Sequence, residues 1–157
     1  MKTRARKART ALPCAALAAM LGSITLTTGC MTSSVPVEQA SSQTLIDTHW
    51  RLMQIGAEII DNPAAERDLH VVLRSTNLLV SGYSGCNRMS GHYAVNGDAL
   101  KFDQMGGTRM FCEGRMDLEQ KFLIMFEAVT AWKITGRTLQ LLDANGKAVG
   151  TFEAPSP

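Results

Sequence analysis

The chain has 157 residues, of which 45% are apolar and 19% are charged. This length suits a single domain, and the composition excludes wholesale disorder and low-complexity sequence. The formal net charge is +2, but residues 1–9 hold five basic residues and no acid, which leaves 11 basic against 14 acidic residues elsewhere. The remainder is mildly acidic, which argues against nucleic acid as a partner because phosphate-binding surfaces need clustered Lys and Arg.

Residues 1–29 have the order of a secretory signal. The basic start is followed by an uncharged run rich in Ala and Leu, and small residues precede Cys30. A transmembrane anchor is the alternative, but Pro13 and a Thr-rich end fall short of the roughly 20 strongly apolar residues that a span needs. The sequence therefore predicts export, with Cys14 removed in the signal peptide.

The end of this segment, Leu26-Thr-Thr-Gly-Cys30, resembles a bacterial lipobox, so we expect Cys30 to be lipidated and to become the first residue. A typical lipobox has Leu where this chain has Thr27, so an ordinary cleaved signal is the alternative. Met31 rather than Asp follows the cysteine, which resembles the default for release to an outer membrane. The prediction is a lipid-anchored outer-membrane protein facing the periplasm, with a soluble periplasmic or secreted protein as the alternative.

Residues 30–47 are rich in Ser, Thr and Gln and contain no aromatic residue, which predicts a flexible tether. The folded domain is predicted at 48–157. Within it, short apolar runs alternate with turn signals, as in an antiparallel meander. The dipeptides Asn96-Gly97 and Asn145-Gly146 predict hairpins with type I′ turns. The predicted strands are 50–55, 69–73, 78–81, 91–95, 99–102, 132–135, 138–142 and 148–152.

One segment, 116–130, has the helical period instead. Its apolar stripe predicts an amphipathic helix that buries one face, and Asp117 with Gln120 could cap its start. A sheet with one apolar face and a lone amphipathic helix must cover each other. The sequence therefore predicts a mainly β (α+β) fold, in which a curved antiparallel sheet forms a half-open barrel and one helix packs in the opening. The stripe consists of Leu118, Phe122, Met125, Phe126 and Val129.

Two cysteines, Cys86 and Cys112, remain in the domain. In an oxidising periplasm the leading hypothesis is a disulfide, which would stabilise the fold by on the order of 3 kcal/mol. The alternative is a thiol or serine hydrolase that uses Cys86 or Ser84 as nucleophile and His92 as base. No orienting group or oxyanion site is recognisable for it, so no catalytic residue is predicted.

No metal or cofactor is predicted either. The three histidines, His49, His70 and His92, lack the close spacing of zinc ligands, and a spatial site of Cys86, His92 and Cys112 is a weak alternative. Phosphate-binding and dinucleotide-binding glycine motifs are absent from the sequence.

The strings Ser84-Gly-Cys-Asn-Arg-Met-Ser-Gly91 and Thr108-Arg-Met-Phe-Cys112 resemble the META domain family of HslJ-like bacterial envelope lipoproteins. The resemblance covers about residues 48–154. It implies a cracked barrel with one helix, an envelope location, a link to stress response and no established enzymatic activity. Gly106-Gly107 departs from the family pattern and predicts a looser entry to the second string. The signature residues are Trp50, Ser84, Gly85, Cys86, Asn87, Arg88, Ser90, Gly91, Thr108, Arg109, Met110 and Cys112.

Two signature residues, Arg88 and Arg109, are predicted to form surface salt bridges with Asp103 or Glu113, with a recognition patch for an anionic group as the alternative. The predicted function is a non-catalytic binding or scaffolding module for an unknown envelope protein, peptide or lipid. A pilot-like or chaperone-like lipoprotein that holds an acyl chain or peptide between helix and barrel is the alternative, and this analogy rests on fold alone.

Overall fold

The computed structural model describes residues 43–62 and 67–156. The predicted signal at 1–29, Cys30 and the tether up to residue 42 lie outside the described residues. Leu45, near the end of the predicted tether, is buried in the core, and Ile46 forms a parallel bridge with Leu73. No helix in the described ranges has the length and apolar character that crossing a membrane requires.

The described part of the chain forms one antiparallel sheet of nine strands, which confirms the predicted meander. The strand order is that of the sequence except that the second strand lies at the edge, and the first strand also pairs with the last. The sheet therefore closes on itself through a ring of paired strands. The strands are β1 (Trp50–Ile55), β2 (Glu58–Ile59), β3 (His70–Leu73), β4 (Leu79–Tyr83), β5 (Arg88–Asn96), β6 (Ala99–Gly107), β7 (Ala131–Thr135), β8 (Thr138–Leu142) and β9 (Ala148–Glu153).

The ring is cracked between β6 and β7, which share a single pair, Ala99 with Ala131. Helix α1 (Met116–Glu127) contacts β6 and β1. Its Phe126 packs edge-on against Phe102 of β6, with 4.8 Å between ring centroids. The predicted half-open barrel with one helix packed in the opening is confirmed.

The helical stripe faces the interior, as its period predicts. Phe122, Met125, Phe126 and Val129 are buried, and Leu118 packs partly against the core. Large apolar side chains from every side of the barrel meet this stripe, so the interior is densely filled. The fully buried members include Trp50, Leu52, Val71, Leu73, Val80, Leu100, Leu139, Leu141 and Phe152.

The helix starts where the sequence predicts, but its predicted cap and its predicted end are wrong. The helix begins at Met116, so Asp117 lies inside the first turn, and the N-cap residue Arg115 makes no capping side-chain bond. The predicted cap of Asp117 with Gln120 is therefore wrong. The helix ends at Glu127 instead of residue 130, because the backbone turns after Ala128, whose N–H bonds to the carbonyls of Met125 and Phe126.

Both hairpins form, but their turns are not the predicted type I′ turns. In the first, Asn96 pairs with Ala99, so the loop is Gly97-Asp98, and only Gly97 has a positive φ, +56°. In the second, five residues link β8 to β9, and the Asp143 carboxylate accepts the N–H groups of Asn145 and Lys147 at 2.9 Å. The Asn-Gly pattern locates both hairpins, but in the second the side-chain bonds of Asp143 decide the turn.

Several strand bounds differ from the prediction. Strand β2 was not predicted, since its two residues are exposed and show no alternation. A 3-10 turn at Thr76–Leu78 delays β4, and its residues Asn77 and Leu78 have positive φ. Strand β6 continues through Gly107, which pairs with Met89, so the predicted looseness of Gly106-Gly107 is wrong.

Candidate functional site

The two cysteines of the domain form a disulfide that joins the two signature strings. The Cα atoms of Cys86 and Cys112 lie 5.9 Å apart, and the residues are 26 positions apart in sequence. The predicted disulfide is confirmed. A bonded sulfur offers neither a nucleophilic thiolate nor a metal-binding one, so the Cys86 nucleophile and the site of Cys86, His92 and Cys112 are both wrong.

The serine alternative fails on geometry. The Ser84 hydroxyl is buried, donates to the Asn87 carbonyl at 2.9 Å and accepts the Asn87 N–H at 3.2 Å. His92 is exposed on β5, opposite Leu79 and Asp103, and makes no side-chain hydrogen bond with Ser84 within the described ranges. Ser84 therefore shapes the turn after β4, and the predicted pairing with His92 is wrong.

Asn87 is the centre of a buried polar network. Its amide nitrogen donates to the Met110 carbonyl and to the Glu119 carboxylate, each at 3.0 Å. Its oxygen accepts the Met110 N–H at 2.8 Å and the Thr108 hydroxyl at 2.6 Å. Only 1% of Asn87 is exposed. The side chain thus ties both signature strings to the helix.

Sequence reasoning did not identify Glu119 as a member of this network. It is 7% exposed and faces Asn87. The available signal was its place three residues before Phe122, which puts it on the buried stripe. A carboxylate on an apolar stripe needs a partner, because an unpaired buried charge is costly.

Other signature residues also have structural roles. The Trp50 indole N–H donates to the Leu45 carbonyl at 3.0 Å, which fixes the chain entering β1. Gly85 has a φ of +94°, which favours glycine. A Cβ on Gly91 would lie 2.9 Å from the Asp103 carbonyl oxygen, so β6 can approach only a glycine there. Ser90 is exposed on β5, opposite Ser81.

A pocket of about 660 Å³ opens beside the disulfide. Arg88 lines its wall. The predicted salt bridges of Arg88 and Arg109 with Asp103 or Glu113 are wrong, because no guanidinium nitrogen of these two described arginines lies within 4.0 Å of either carboxylate. The two guanidinium groups that line this pocket, those of Arg67 and Arg88, suit an anionic group. The lining residues are Arg67, His70, Gly82, Tyr83, Cys86, Arg88, Thr108 and Met110.

Two exposed apolar side chains lie at or next to this pocket: Met110 lines it, and Phe111 follows Met110 in the sequence. Met110 is 62% exposed and Phe111 is 81% exposed. The segment cannot turn inward easily, because Asn87 holds both backbone groups of Met110 and the disulfide holds Cys112. Two adjacent exposed apolar side chains on a segment held in place beside the pocket are suited to contact with another molecule.

A second polar cluster lies nearby, where His49 and His70 meet at Asp68. Sequence spacing did not reveal this cluster, since its residues are separated by up to 21 positions and meet only through strand pairing. His70 belongs to the wall of the pocket as well. Within the part of the chain that the structure describes, these three side chains form a group whose ligand atoms could hold a metal ion.

Comparisons with known proteins show which family and which solved structures this chain resembles. A family model described as META domain matches residues 43–156. The structure resembles an NMR structure of a protein from Burkholderia xenovorans, with a TM-score of 0.58 and 28% identity over 72% of this chain and 85% of that one. A second NMR structure shares the fold, with a TM-score of 0.53 and 20% identity over 68% and 88% of the two chains. The search of curated proteins finds no match.

Proposed function

We propose that this chain, which belongs to the META domain family, is a non-catalytic cell-envelope lipoprotein whose domain binds a protein partner. The contact surface in this proposal is the pocket with these two apolar side chains, here named the disulfide face and formed by Arg67, Arg88, Met110 and Phe111. The observation that carries the proposal is the exposure of Met110, which is held by Asn87 and lines the pocket with two arginines, and of the adjacent Phe111.

The partner's chemistry follows from this surface. Burying a phenylalanine side chain contributes about 1.5–3 kcal/mol, so the partner should offer an apolar hollow to Phe111. The guanidinium groups of Arg67 and Arg88 favour a carboxylate-bearing segment next to that hollow. Because Asn87 and the disulfide already order the segment, binding costs little additional conformational entropy.

Site-specific photocrosslinking tests the surface. A photoreactive phenylalanine analogue at position 111, in the full chain made in its own cells, should give one discrete adduct that mass spectrometry identifies. The matched control is the same analogue at Val95, which is exposed on β5 away from the disulfide. The adduct should weaken with Arg88→Glu. Equal labelling at both positions, or none at 111, contradicts the proposal.

The address in the envelope is tested separately. Lipidation of Cys30 predicts that a clickable palmitate analogue labels the wild-type chain and not Cys30→Ser, and that the labelled chain sediments with outer membranes. Several buried acyl chains, at about 0.8 kcal/mol per methylene, make such anchoring stable. A chain released in soluble form from the periplasm would favour the alternative of an ordinary secreted protein.

The stress-related part of the proposal rests on the family resemblance. It predicts that cells lacking the gene lose viability faster than wild-type cells during a heat shift, and that the Phe111→Ser chain fails to restore survival. Full rescue by Phe111→Ser would separate any stress role from the disulfide face.

The non-catalytic part is supported by the bonded Cys86 and by the backbone-bound hydroxyl of Ser84. Fluorophosphonate and iodoacetamide probes should therefore leave the non-reduced domain unlabelled. Stoichiometric labelling of Ser84 would contradict it.

A second candidate is the pilot-like role, in which an acyl chain or peptide lies between helix and barrel. One observation favours it, an open groove of about 370 Å³ between α1 and β9 with exposed Ile124 on its rim. The dense packing of Phe122, Phe126 and Phe152 limits such a ligand to this outer groove. Photocrosslinking from position 124 instead of 111 would favour this candidate.

A further inference from the structure

The outer face of the barrel carries an unusual group where β1 meets β3. In this pairing Arg51 lies opposite His70, and Trp50 lies opposite Val71. Because side chains alternate across a strand, the neighbours of the buried residues point outward together. His49, Asp68 and His70 therefore share one face, although 19 residues separate His49 from Asp68.

The three side chains converge within hydrogen-bond distance. The His49 Nε2 atom lies 3.1 Å from each carboxylate oxygen of Asp68, and the His70 Nδ1 atom lies 2.9 Å from Oδ1. The same His70 nitrogen lies 2.9 Å from the Asp68 backbone carbonyl. All three ligand atoms lie within 4.8 Å of one another.

Among the described residues, no Lys or Arg nitrogen lies within 4.0 Å of the Asp68 carboxylate. Its side chain is 5% exposed, and its basic partners within 4.0 Å in the described ranges are the two imidazoles, which are charged only when protonated. The nearby guanidinium of Arg51 is instead engaged with Glu153 at 2.8 Å and with the Asn62 carbonyl at 2.9 Å. A buried carboxylate aimed at two imidazole nitrogens is thus left without fixed compensation.

We infer that His49, Asp68 and His70 bind a zinc-class divalent cation. Two imidazoles and one carboxylate form a donor set that suits Zn²⁺, with water as the fourth ligand. Tetrahedral ligands about 2.0–2.2 Å from zinc are roughly 3.4 Å apart, so the nitrogen-to-oxygen separations need to open by only a few tenths of an ångström. An adjoining pocket of about 400 Å³, lined in part by His49 and Asp68, leaves room for the water.

Binding requires two local changes. Each neutral imidazole moves its proton from the nitrogen that faces Asp68 to its other nitrogen, so the rings supply lone pairs without net proton release. The rings are stacked, with centroids 4.1 Å apart at 27°, and must turn about their side-chain bonds to aim those lone pairs at one ion. Half-exposed His49 has the freedom to turn. Loss of the stacking is therefore a specific sign of binding.

Zinc titration of the full chain, purified without a histidine tag, tests the site. We expect His49→Gln and His70→Gln each to weaken binding by more than the roughly 10- to 100-fold that loss of an outer-shell partner causes. His92→Gln, which changes an exposed histidine on β5, is the matched control and should bind as the wild type does. Cys14 and Cys30 are the same in all variants, so any zinc they hold cancels.

Two readouts need no variant. Zinc at about a hundred times its Kd should raise the Tm by roughly 10 °C. Histidine-ring NMR should show the signals of His49 and His70 moving together while that of His92 stays in place. Equal zinc affinity in all three variants, or ring signals of His49 and His70 that do not respond to zinc, overturns the inference.

Discussion

Removing the Asn87 side chain is the most informative perturbation of the signature. In Asn87→Ala, the two backbone groups of Met110, the Thr108 hydroxyl and the Glu119 carboxylate all lose their bond to one amide. Three neutral hydrogen bonds at about 1 kcal/mol each, and one to a charged group at about 2 kcal/mol, give an upper value near 5 kcal/mol. Water entering beside exposed Thr108 offsets part of this, so we expect a loss of about 3–5 kcal/mol in the free energy of unfolding.

Urea unfolding of the non-reduced chain measures this loss, with tryptophan fluorescence as the probe because Trp50 is fully buried. Two matched variants divide the effect. Thr108→Ala removes one neutral bond and should cost about 1 kcal/mol. Glu119→Gln keeps an oxygen that can accept from Asn87 and should cost less than Asn87→Ala.

The reasoning would be refuted by a loss below about 1 kcal/mol for Asn87→Ala, which is the worth of one ordinary hydrogen bond. It would also be refuted if Asn87→Ala and Glu119→Ala were additive, since two groups in direct contact should show a coupling energy of roughly 0.5–3 kcal/mol in a double-mutant cycle.

Three further outcomes are expected. Reducing the disulfide, which closes a loop with a sequence separation of 26, should lower the free energy of unfolding by about 3.5 kcal/mol in chemical denaturation, and an unchanged midpoint would contradict this. Gly107→Ala should destabilise strongly, because a Cβ would lie 2.6 Å from the Arg88 carbonyl oxygen, whereas Gly106→Ala meets nothing within 4 Å and should differ little from wild type in Tm. Burial and the charge of Asp47 raise the pKa of Tyr93, so its contribution to stability is complete below its ordinary pKa near 10 and is lost as pH rises through the raised pKa. Wild type should therefore lose stability more steeply than Tyr93→Phe as pH rises above about 10 in denaturant titrations, and parallel curves would count against it.

Local patterns were sufficient for the architecture. The apolar residues around Phe122 and Phe126 recur with the period of an α-helix, so the helix and its buried face follow from the sequence. The Asn-Gly dipeptides locate both hairpins because their turn preference is also a local property of the sequence. The turn of the second hairpin was not predictable, because its five-residue loop is set by backbone N–H groups that donate to the Asp143 carboxylate, and these bonds compete with the intrinsic preference of the dipeptide.

The polar clusters could not be predicted from spacing, because each depends on long-range register. Asn87 and Glu119 are 32 residues apart and meet only when α1 closes the crack. His49 and His70 meet only in the particular pairing of β1 with β3. A shift of that pairing by one residue would turn one strand's partners to the opposite face, so no sequence motif encodes the cluster by itself.

Some signature residues are bonded or buried within the fold, whereas others have exposed side chains that can contact a partner. Trp50, Ser84, Asn87 and both cysteines are satisfied internally, so substituting them tests stability and says little about partners. Arg88 and Met110 have exposed side chains. Among the residues that the structure describes, Arg88 forms no ion pair and Met110 does not belong to the hydrophobic core. Their places are nevertheless set by Asn87 and the disulfide. A loss of binding in Asn87→Ala would therefore be an indirect effect of misplaced Met110, whereas a loss in Arg88→Glu at unchanged Tm would report direct contact with the partner.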